Sequence, residues 1–426
     1  MPPEIPFNKP FIAGKELYYI AQAVALGNIS GDGHFTQSCS RLLQERFGIH
    51  KVLMTPSCTA ALEMAAMLCG LGPGDEVIMP SFTFVSTANA VVRLGAKPVF
   101  VDIRPDTLNI DDALIEEAVT PRTKAIFPVH YAGVGCEMDR IMTIAEKYNL
   151  LVVEDAAQGV NAFHNGRALG SIGHLGCHSF HETKNYICGE GGALCINDPE
   201  MVERAEILRD KGTNRKQFFR GQTDKYTWVD VGGSYVPSEL CCAFLYGQLE
   251  LFDQIAQRRR EIHQTYAEQL QPLADDDLLR LPFTPEECQS NYHMFYVLLP
   301  DRRARDELLE HLNQRGMHGV FHYVPLHSSP MGRVVGVARG DLPVTDAVSA
   351  GLLRLPFYYD ISLDEQAAVA STVADLLRRR TVGDDFNASR RSGDSPLSEM
   401  FRRPVASGKH ALGIGEYHDH AGSRTR

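Results

Sequence analysis

No two cysteines stand as C-x-x-C: the ten cysteines occur singly or as the vicinal pair Cys241-Cys242. That argues against a structural zinc site or a disulfide framework, so no metal is expected and a reducing, cytoplasmic setting fits. A basic run is also missing. The 42 Lys and Arg are outnumbered by 53 Asp and Glu, giving a formal net charge of -11, and nucleic acid is not an expected partner. No apolar run reaches the roughly 18 residues that a membrane span requires. The opening MPPEIPFNKPF lacks the basic and apolar regions of a secretory signal. A soluble intracellular protein without a membrane partner is therefore expected. The fingerprint G-x-G-x-x-G is absent from the first strand-to-helix turn, which reads TPSCTAAL, and this disfavours a nicotinamide enzyme.

What is present is a 426-residue chain, 44% hydrophobic, long enough for a large core and two domains. Between Lys51 and Asp155 short apolar runs (KVLMT, EVIMP, KPVFVD, KAIFPVH, LLVVED) alternate with helix-length segments. That alternation predicts an α/β fold: a mostly parallel sheet between helices. Later patterns (the helical stretch from about Ser238 to Leu270, then MFYVLL, ARDELLEHLNQRG and GVFHYVPL) predict a smaller C-terminal α/β domain. The expected division is residues 1–240 for the large domain and 241–381 for the small one. Residues 382–426, rich in Gly, Ser, Arg, Asp and His, are expected to form a disordered tail.

Chemistry concentrates at strand ends. In VVEDAAQ the run Leu151 to Val153 delivers Glu154 and Asp155 to the carboxyl end of a strand, where open α/β sheets bind ligands. One carboxylate there suits a pyridine nitrogen, although an N-cap or a salt bridge explains either acid locally. In SFHETKNYICGEGG, Lys184 follows a predicted strand and precedes a glycine-rich turn. A lysine in an apolar pocket loses its ammonium form and becomes a nucleophile for a carbonyl, whereas most lysines are simply solvated. It is the arrangement of acid, lysine and glycines that favours the functional reading. PSCTAAL places Ser57 as a helix N-cap, with the amides of Cys58 and Thr59 suited to a phosphate. Ser179 is a further hydroxyl for that phosphate or a core serine. Phe84, in MPSFTFVSTAN, is a candidate to stack on a flat ring or, like Phe82, to fill the core. In VFHYVPLHSSP, His322, Tyr323 and His327 gather in a turn suited to polar ligand recognition.

Taken together, PSCTAAL, EDAAQ, SFHETKN with GEGG, and YVPLH resemble the DegT/StrS family of sugar-nucleotide aminotransferases, over roughly Ile5 to Arg380. The resemblance implies the fold-type I architecture of enzymes dependent on pyridoxal 5'-phosphate (PLP) and a homodimer with its active site at the subunit interface. It implies a Schiff base on Lys184, with pyridoxamine phosphate formed in turnover. It further implies Asp155 on the pyridine nitrogen, Gln158 near the ring hydroxyl, Phe84 on the ring, and Cys58, Thr59 and Ser179 around the phosphate. GDGHFT, VLMTPSCTAALEMAA, PVHYAGV, SFHETKNY and the region KGTNR to DKYTW are similar to members that aminate the C4 ketone of dTDP-4-dehydro-6-deoxyglucose with L-glutamate. His322, Tyr323, His327 and Arg220 are then candidates to orient the sugar and its pyrophosphate. The chain departs from many relatives at Cys58, often Gly, and at Val236, often an Asn that reaches the partner subunit's phosphate. Two rival readings are a sugar dehydratase of the same family, in which the lysine is replaced, and a non-catalytic regulatory protein on the same fold. Lys184 speaks against the first, and Lys184 with Asp155 against the second.

Overall fold

The computed structural model describes residues 4–382. The expected tail therefore lies outside the described residues, apart from its first position. In chain order the strands are β1 (Lys51–Thr55), β2 (Glu76–Pro80), β3 (Lys97–Val101), β4 (Thr123–Ile126), β5 (Leu151–Asp155), β6 (Phe163–His164) and β7 (Arg167–Ala168). They continue with β8 (Leu175–Ser179), β9 (Gly192–Ile196), β10 (Cys288–Gln289), β11 (Tyr296–Leu298), β12 (Val320–Phe321), β13 (Val337–Ala338) and β14 (Leu352–Arg354).

Eight strands form the central sheet in the order β1-β9-β8-β5-β4-β2-β3-β13. Only β9 runs against its neighbours, β1 and β8; the other pairings are parallel. The sheet is thus the mostly parallel one that the alternating pattern predicts. Its strands are apolar along nearly their whole length because helices cover both faces: all of β2, β8 and β9 is buried. One face packs on Cys58–Leu68 through Ala61, Leu62 and Ala65. The other meets Met138–Tyr148, which buries Met138, Ile141, Ile144 and Ala145 and ends on Asn149 in the left-handed region, φ 52°.

A second core belongs to the C-terminal part of the chain. There β14 lies between β11 and β12, all antiparallel. Leu308 and Leu312 of the helix Arg302–Asn313, Ile262, Tyr266 and Leu270 of Phe252–Asp275, and Val369, Val373 and Leu377 of Leu363–Val382 share its core. Between the two cores the chain crosses back and forth. The helix Glu239–Leu249 buries Cys242, Ala243 and Leu245 beside Phe35, Leu43 and Phe47 of the N-terminal half, and β13 adds to the edge of the central sheet beside β3. For the site, what matters is direction: β1, β2, β5 and β8 are co-oriented, so Thr55, Pro80, Asp155 and Ser179 all end at one rim.

Candidate active site

Glu154 and Asp155 illustrate how a strand sorts adjacent side chains, since successive residues point to opposite faces. Glu154 is turned inward and fully used. Its Oε1 accepts from the amides of Ile172 (2.7 Å) and Gly173 (2.6 Å). Its Oε2 accepts from Gly170 N (2.8 Å) and His130 Nε2 (2.9 Å), while His130 Nδ1 accepts from Cys136 N (3.1 Å). Although burial acts against its charge, the His130 bond and the amides hold Glu154 below the usual carboxylate range. This acid is structural.

Asp155 faces the rim. Its Oδ2 accepts from Thr87 Oγ1 (2.7 Å) and its Oδ1 from Ala157 N (3.2 Å), yet no ion pair reaches it among the described residues although it is buried. Burial pushes its carboxyl above the ordinary value, against the Thr87 and Ala157 bonds and the Lys184 charge. A buried carboxylate without a counter-ion is a costly feature unless a cationic ligand completes it.

Lys184 lies in the connection between β8 and β9, whose geometry its neighbours fix. Phe180 N donates to Gly191 O (2.8 Å), Cys188 N to Phe180 O (2.8 Å) and Glu182 N to Gly189 O (2.9 Å), with Gly189 at φ +81°. Asn185 Nδ2 donates to Asn291 O (2.8 Å), and Tyr186 OH donates to Phe252 O (3.1 Å). Lys184 itself is half-buried at its surface but closely surrounded. Burial lowers the basicity of its amine; Cys58 and Asp155 oppose this, and Arg354 adds to it. An amine so placed has its neutral, nucleophilic form favoured.

The helix Cys58–Leu68 begins at the same rim. Ser57 Oγ accepts from Ala60 N (3.1 Å) and Ser57 is the N-cap, so among the described residues the amides of Cys58 and Thr59 remain free for an anion. Thr59 Oγ1 lies 2.7 Å from Ser86 Oγ, and Ser179 ends β8 nearby, its Oγ accepting a long 3.4 Å bond from His181 N. The close approach of β9 needs glycine: a Cβ on Gly192 would fall 2.4 Å from Ser57 C and 2.5 Å from Cys58 N.

The aromatic and polar candidates divide clearly. Phe82 is core, 1% exposed, whereas Phe84 is 57% exposed and 6.3 Å from the Tyr323 ring. Gln158 Oε1 accepts from Ala132 N (2.7 Å), and its Nε2 donates to Tyr323 OH (3.0 Å). His322 packs at 3.4 Å between ring centroids on Tyr323, and its Nδ1 is 3.0 Å from Tyr131 OH. Burial, then the Arg354 and Lys184 charges, hold His322 far below its ordinary value, so it acts as a neutral ring. His327 Nδ1 lies 2.7 Å from Ser81 Oγ, which accepts from His327 N (3.0 Å); this clamps the YVPLH turn to the end of β2. Arg220 is not brought into the group within one chain. Its guanidinium is held by Glu206 at 2.6 and 2.7 Å, and Glu206 also meets Lys51, at the opposite end of β1.

Three groups were missed by the sequence reading: Thr87, which orients Asp155; His293, whose Nδ1 donates to Asn185 Oδ1 (2.8 Å) beside Lys184; and Arg354 at the end of β14. Thr87 lies within a motif already singled out, so its spacing from Phe84 was an available signal. His293 and Arg354 reach the rim only through the fold. The rim offers free helix amides for a phosphate, an exposed ring face, an unpaired buried carboxylate and a low-basicity amine. PLP fits this set: the amides could hold its phosphate and the carboxylate its pyridinium.

Comparisons agree with that chemistry. Residues 11–374 match the model of the DegT/DnrJ/EryC1/StrS aminotransferase family. The chain is 36% identical over 320 residues (75% of this chain, 82% of the relative) to a pleiotropic regulatory protein of Geobacillus stearothermophilus. It is 33% identical over 382 residues (88% and 97%) to the spore coat polysaccharide biosynthesis protein SpsC of Bacillus subtilis. Among solved structures it resembles the aminotransferase TlmJ of Streptoalloteichus hindustanus, with TM-score 0.82 and 31% identity, covering 88% of this chain and 100% of that one. It also resembles Spr1654 of Streptococcus pneumoniae, described as a sugar aminotransferase and solved in a PLP form, with TM-score 0.81, 25% identity and coverage of 88% and 99%. The chain belongs to the DegT/DnrJ/EryC1/StrS aminotransferase family and is a PLP-dependent transaminase.

Proposed function

We propose that this transaminase moves the amino group of L-glutamate to the C4 ketone of dTDP-4-dehydro-6-deoxy-D-glucose. The products are 2-oxoglutarate and a dTDP-4-amino-4,6-dideoxyhexose for amino-sugar biosynthesis. The observation that carries the proposal is the Asp155–Lys184 pair: a buried carboxylate without a counter-ion and an amine of lowered basicity at one rim. The named substrates are supported by the strings GDGHFT and SFHETKNY and by the sugar-related names of SpsC and Spr1654.

Bound there, PLP supplies an electron sink that acidifies the proton on the carbon bearing the nitrogen. Lys184 would hold the cofactor through its amine. Its freed Nζ takes the α-proton from the amino acid and, in the second half of the cycle, delivers a proton to C4 of the sugar. Asp155 keeps the pyridine nitrogen protonated, and Thr87 and Ala157 N hold that carboxylate in place. Cys58 N, Thr59 N and Ser179 would hold the phosphate, Phe84 would pack on the ring, and Gln158 would meet its hydroxyl. His322, Tyr323 and His327 orient the sugar, whereas Arg220, engaged by Glu206, is left without a role in its own chain's site. The two substrates use one site in turn, so the kinetics are ping-pong. We further propose a cytoplasmic homodimer; the free cysteines and the exposed Leu17, Tyr18 and Val24 on one N-terminal helix, with Leu26 just past its end, support it.

The test is to supply holoprotein with L-glutamate and dTDP-4-dehydro-6-deoxyglucose and read the product by NMR. A 4-amino sugar formed in equal amount with 2-oxoglutarate is expected, and its ring proton couplings give the axial or equatorial amine. An unreacted ketone with full 2-oxoglutarate formation in the first half-reaction would overturn the sugar assignment. A regulatory role, which the name of the Geobacillus relative favours, predicts no turnover in either half.

A further inference from the structure

Asn185, the residue after Lys184, is 3% exposed, and one turn from the C-terminal half of the chain engages both ends of its amide. Its Nδ2 donates to Asn291 O (2.8 Å), and its Oδ1 lies 2.8 Å from His293 Nδ1. A carbonyl oxygen can only accept, so the first bond fixes which way the Asn185 amide faces. His293 Nδ1 must then carry the proton. Burial, followed by the Lys184 charge, holds His293 far below its ordinary value. The ring is therefore neutral, with its lone pair at Nε2.

The same turn holds the other half of the site. Asn291 Nδ2 donates to Gln158 O (2.8 Å) and Val160 O (2.8 Å), in the stretch that follows Asp155. Arg259 secures the turn from behind, donating to Tyr292 O (3.1 Å) and His293 O (2.5 Å). Sheet pairing alone does not set Lys184 against Asp155. Asp155 is paired with Cys177 of β8, but β8 ends at Ser179, before Lys184. Residues 291–293 tie the Lys184 segment back to the segment that carries Asp155 and Gln158.

This cross-brace is costly. Asn291 Oδ1 is buried without a partner among the described residues. Tyr292 is in the left-handed region (φ +53°), and so are Ala132 (φ +54°) and Gly133 (φ +79°) across from it. A Cβ on Gly133 would fall 1.9 Å from Asn291 Oδ1, while Ala132 N donates to Gln158 Oε1. Strained backbone and an unsatisfied buried acceptor persist together where a site needs that geometry, because stability alone disfavours both.

We propose that Asn291 and His293 are positioning residues for the transamination, acting through Asn185 to hold the Lys184 amine in register with Asp155. The inference rests on the roles of Lys184 and Asp155 given above. In that reading the amine is freed and then moves a proton between two carbons. A lysine on a long flexible stem does this efficiently only if its backbone is fixed, since small misplacements of a reacting group are expensive in rate. The brace acts on the amine and not on the amino acid, so its loss should appear in the rate of the chemical step and not in amino-acid binding.

Two measurements test this. In apoprotein carrying isotopically labelled histidine, the ring-nitrogen NMR shifts of His293, assigned by its through-space contacts to Asn185, should show a neutral ring protonated at Nδ1 at neutral pH. A ring protonated at Nε2 alone, or at both nitrogens, would overturn the proposal, and this result needs no variant to fold. The second mixes PLP-loaded protein rapidly with L-glutamate over a range of concentrations and follows loss of the lysine-linked cofactor's visible absorbance. H293L is expected to lose about tenfold to hundredfold in the saturating rate, with its half-saturating concentration within a few-fold of wild type. H293Q, whose amide can donate to Asn185 Oδ1, should recover most of the loss. N185A should cost as much as H293L, and the double variant no more than either alone. An H293L protein as fast as wild type at saturation, a change confined to the half-saturating concentration, or fully additive losses would each overturn the brace. Wild type without a lysine-linked absorbance, or with one that L-glutamate does not discharge, would overturn the transaminase reading beneath it, so the two failures are distinguishable.

Discussion

Thr87 Oγ1 donates a 2.7 Å hydrogen bond to Asp155 Oδ2, and its oxygen is itself 2.9 Å from Thr83 Oγ1. Thr87 is in the first turn of a helix, Val85–Val92, that follows β2, while Asp155 ends β5. The bond therefore spans the rim and fixes which way the carboxylate faces. A hydrogen bond to a charged group contributes about 1.5–3 kcal/mol. Thr87→Val should accordingly slow the L-glutamate half-reaction by about tenfold to hundredfold and weaken cofactor retention. Thr87→Ser should remain within a few-fold of wild type. Single-turnover kinetics and cofactor titration check both; a Thr87→Val protein equal to wild type would mean that Asp155 is oriented by something else.

Lys184 gives a prediction about pH. Its folded pKa lies below the unfolded 10.5, so as pH falls below 10.5 the unfolded chain binds a proton that the folded protein takes up less readily, and stability is lost. Above 10.5 the amine is neutral in both states and no penalty applies. Without cofactor, Lys184→Met should thus be more stable than wild type near pH 7, by a margin that shrinks as pH rises toward 10.5. Thermal melts of the two apoproteins across that range measure it. Turnover by Lys184→Met should be lost at every pH.

Glu154 should behave in the opposite manner. Its carboxyl is held low by His130 and backbone amides, so its contribution is present above the unfolded value of 4.5 and disappears as pH falls through the folded one. Glu154→Gln turns an NH2 group toward backbone donors and should cost about 3–5 kcal/mol of stability. The folded fraction should nevertheless keep a near-normal kcat. Denaturant unfolding beside steady-state rates separates this supporting acid from Asp155, whose replacement by Asn should leave a folded protein with little turnover.

Gly192 tests the phosphate cradle. Alanine there would thrust a methyl group to within 2.5 Å of backbone atoms of Ser57 and Cys58, atoms that cannot swing aside as a side chain does. We expect Gly192→Ala to be destabilised by about 1–3 kcal/mol and to bind PLP more weakly. Pyridoxal without its phosphate should lose less affinity in the same variant. An equal loss for both would place the damage away from the phosphate.

Much of this was legible in the sequence, and the reasons differ by residue. The parallel sheet announced itself because strands buried on two faces must be apolar throughout, as EVIMP and LLVVED are. The positions of Asp155 and Lys184 were legible because the first ends a strand and the second follows one ahead of a glycine-rich turn. The choice between Glu154 and Asp155 was not open to local reading: strand alternation says that the two diverge, but with helices on both faces it does not say which one reaches the rim. Phe82 and Phe84 present the same problem, decided by where the helix Val85–Val92 starts. Two-residue β13 carries no periodicity, so its return to the central sheet had no sequence signal. Arg354 sits in LLRLPF, which reads as an apolar strand with one cation. That its buried Nε has no hydrogen-bond partner among the described residues is a property of the folded neighbourhood alone.

The central claim is that Lys184 holds the cofactor and does so opposite Asp155. Reducing the PLP-loaded protein with sodium borohydride, digesting it and mapping the phosphopyridoxyl group by mass spectrometry tests this most directly. The label is predicted on Lys184 alone, and L-glutamate added before the reductant should prevent labelling by converting the cofactor to its amine form. A label on another lysine, or full labelling of Lys184 after glutamate, would contradict the account.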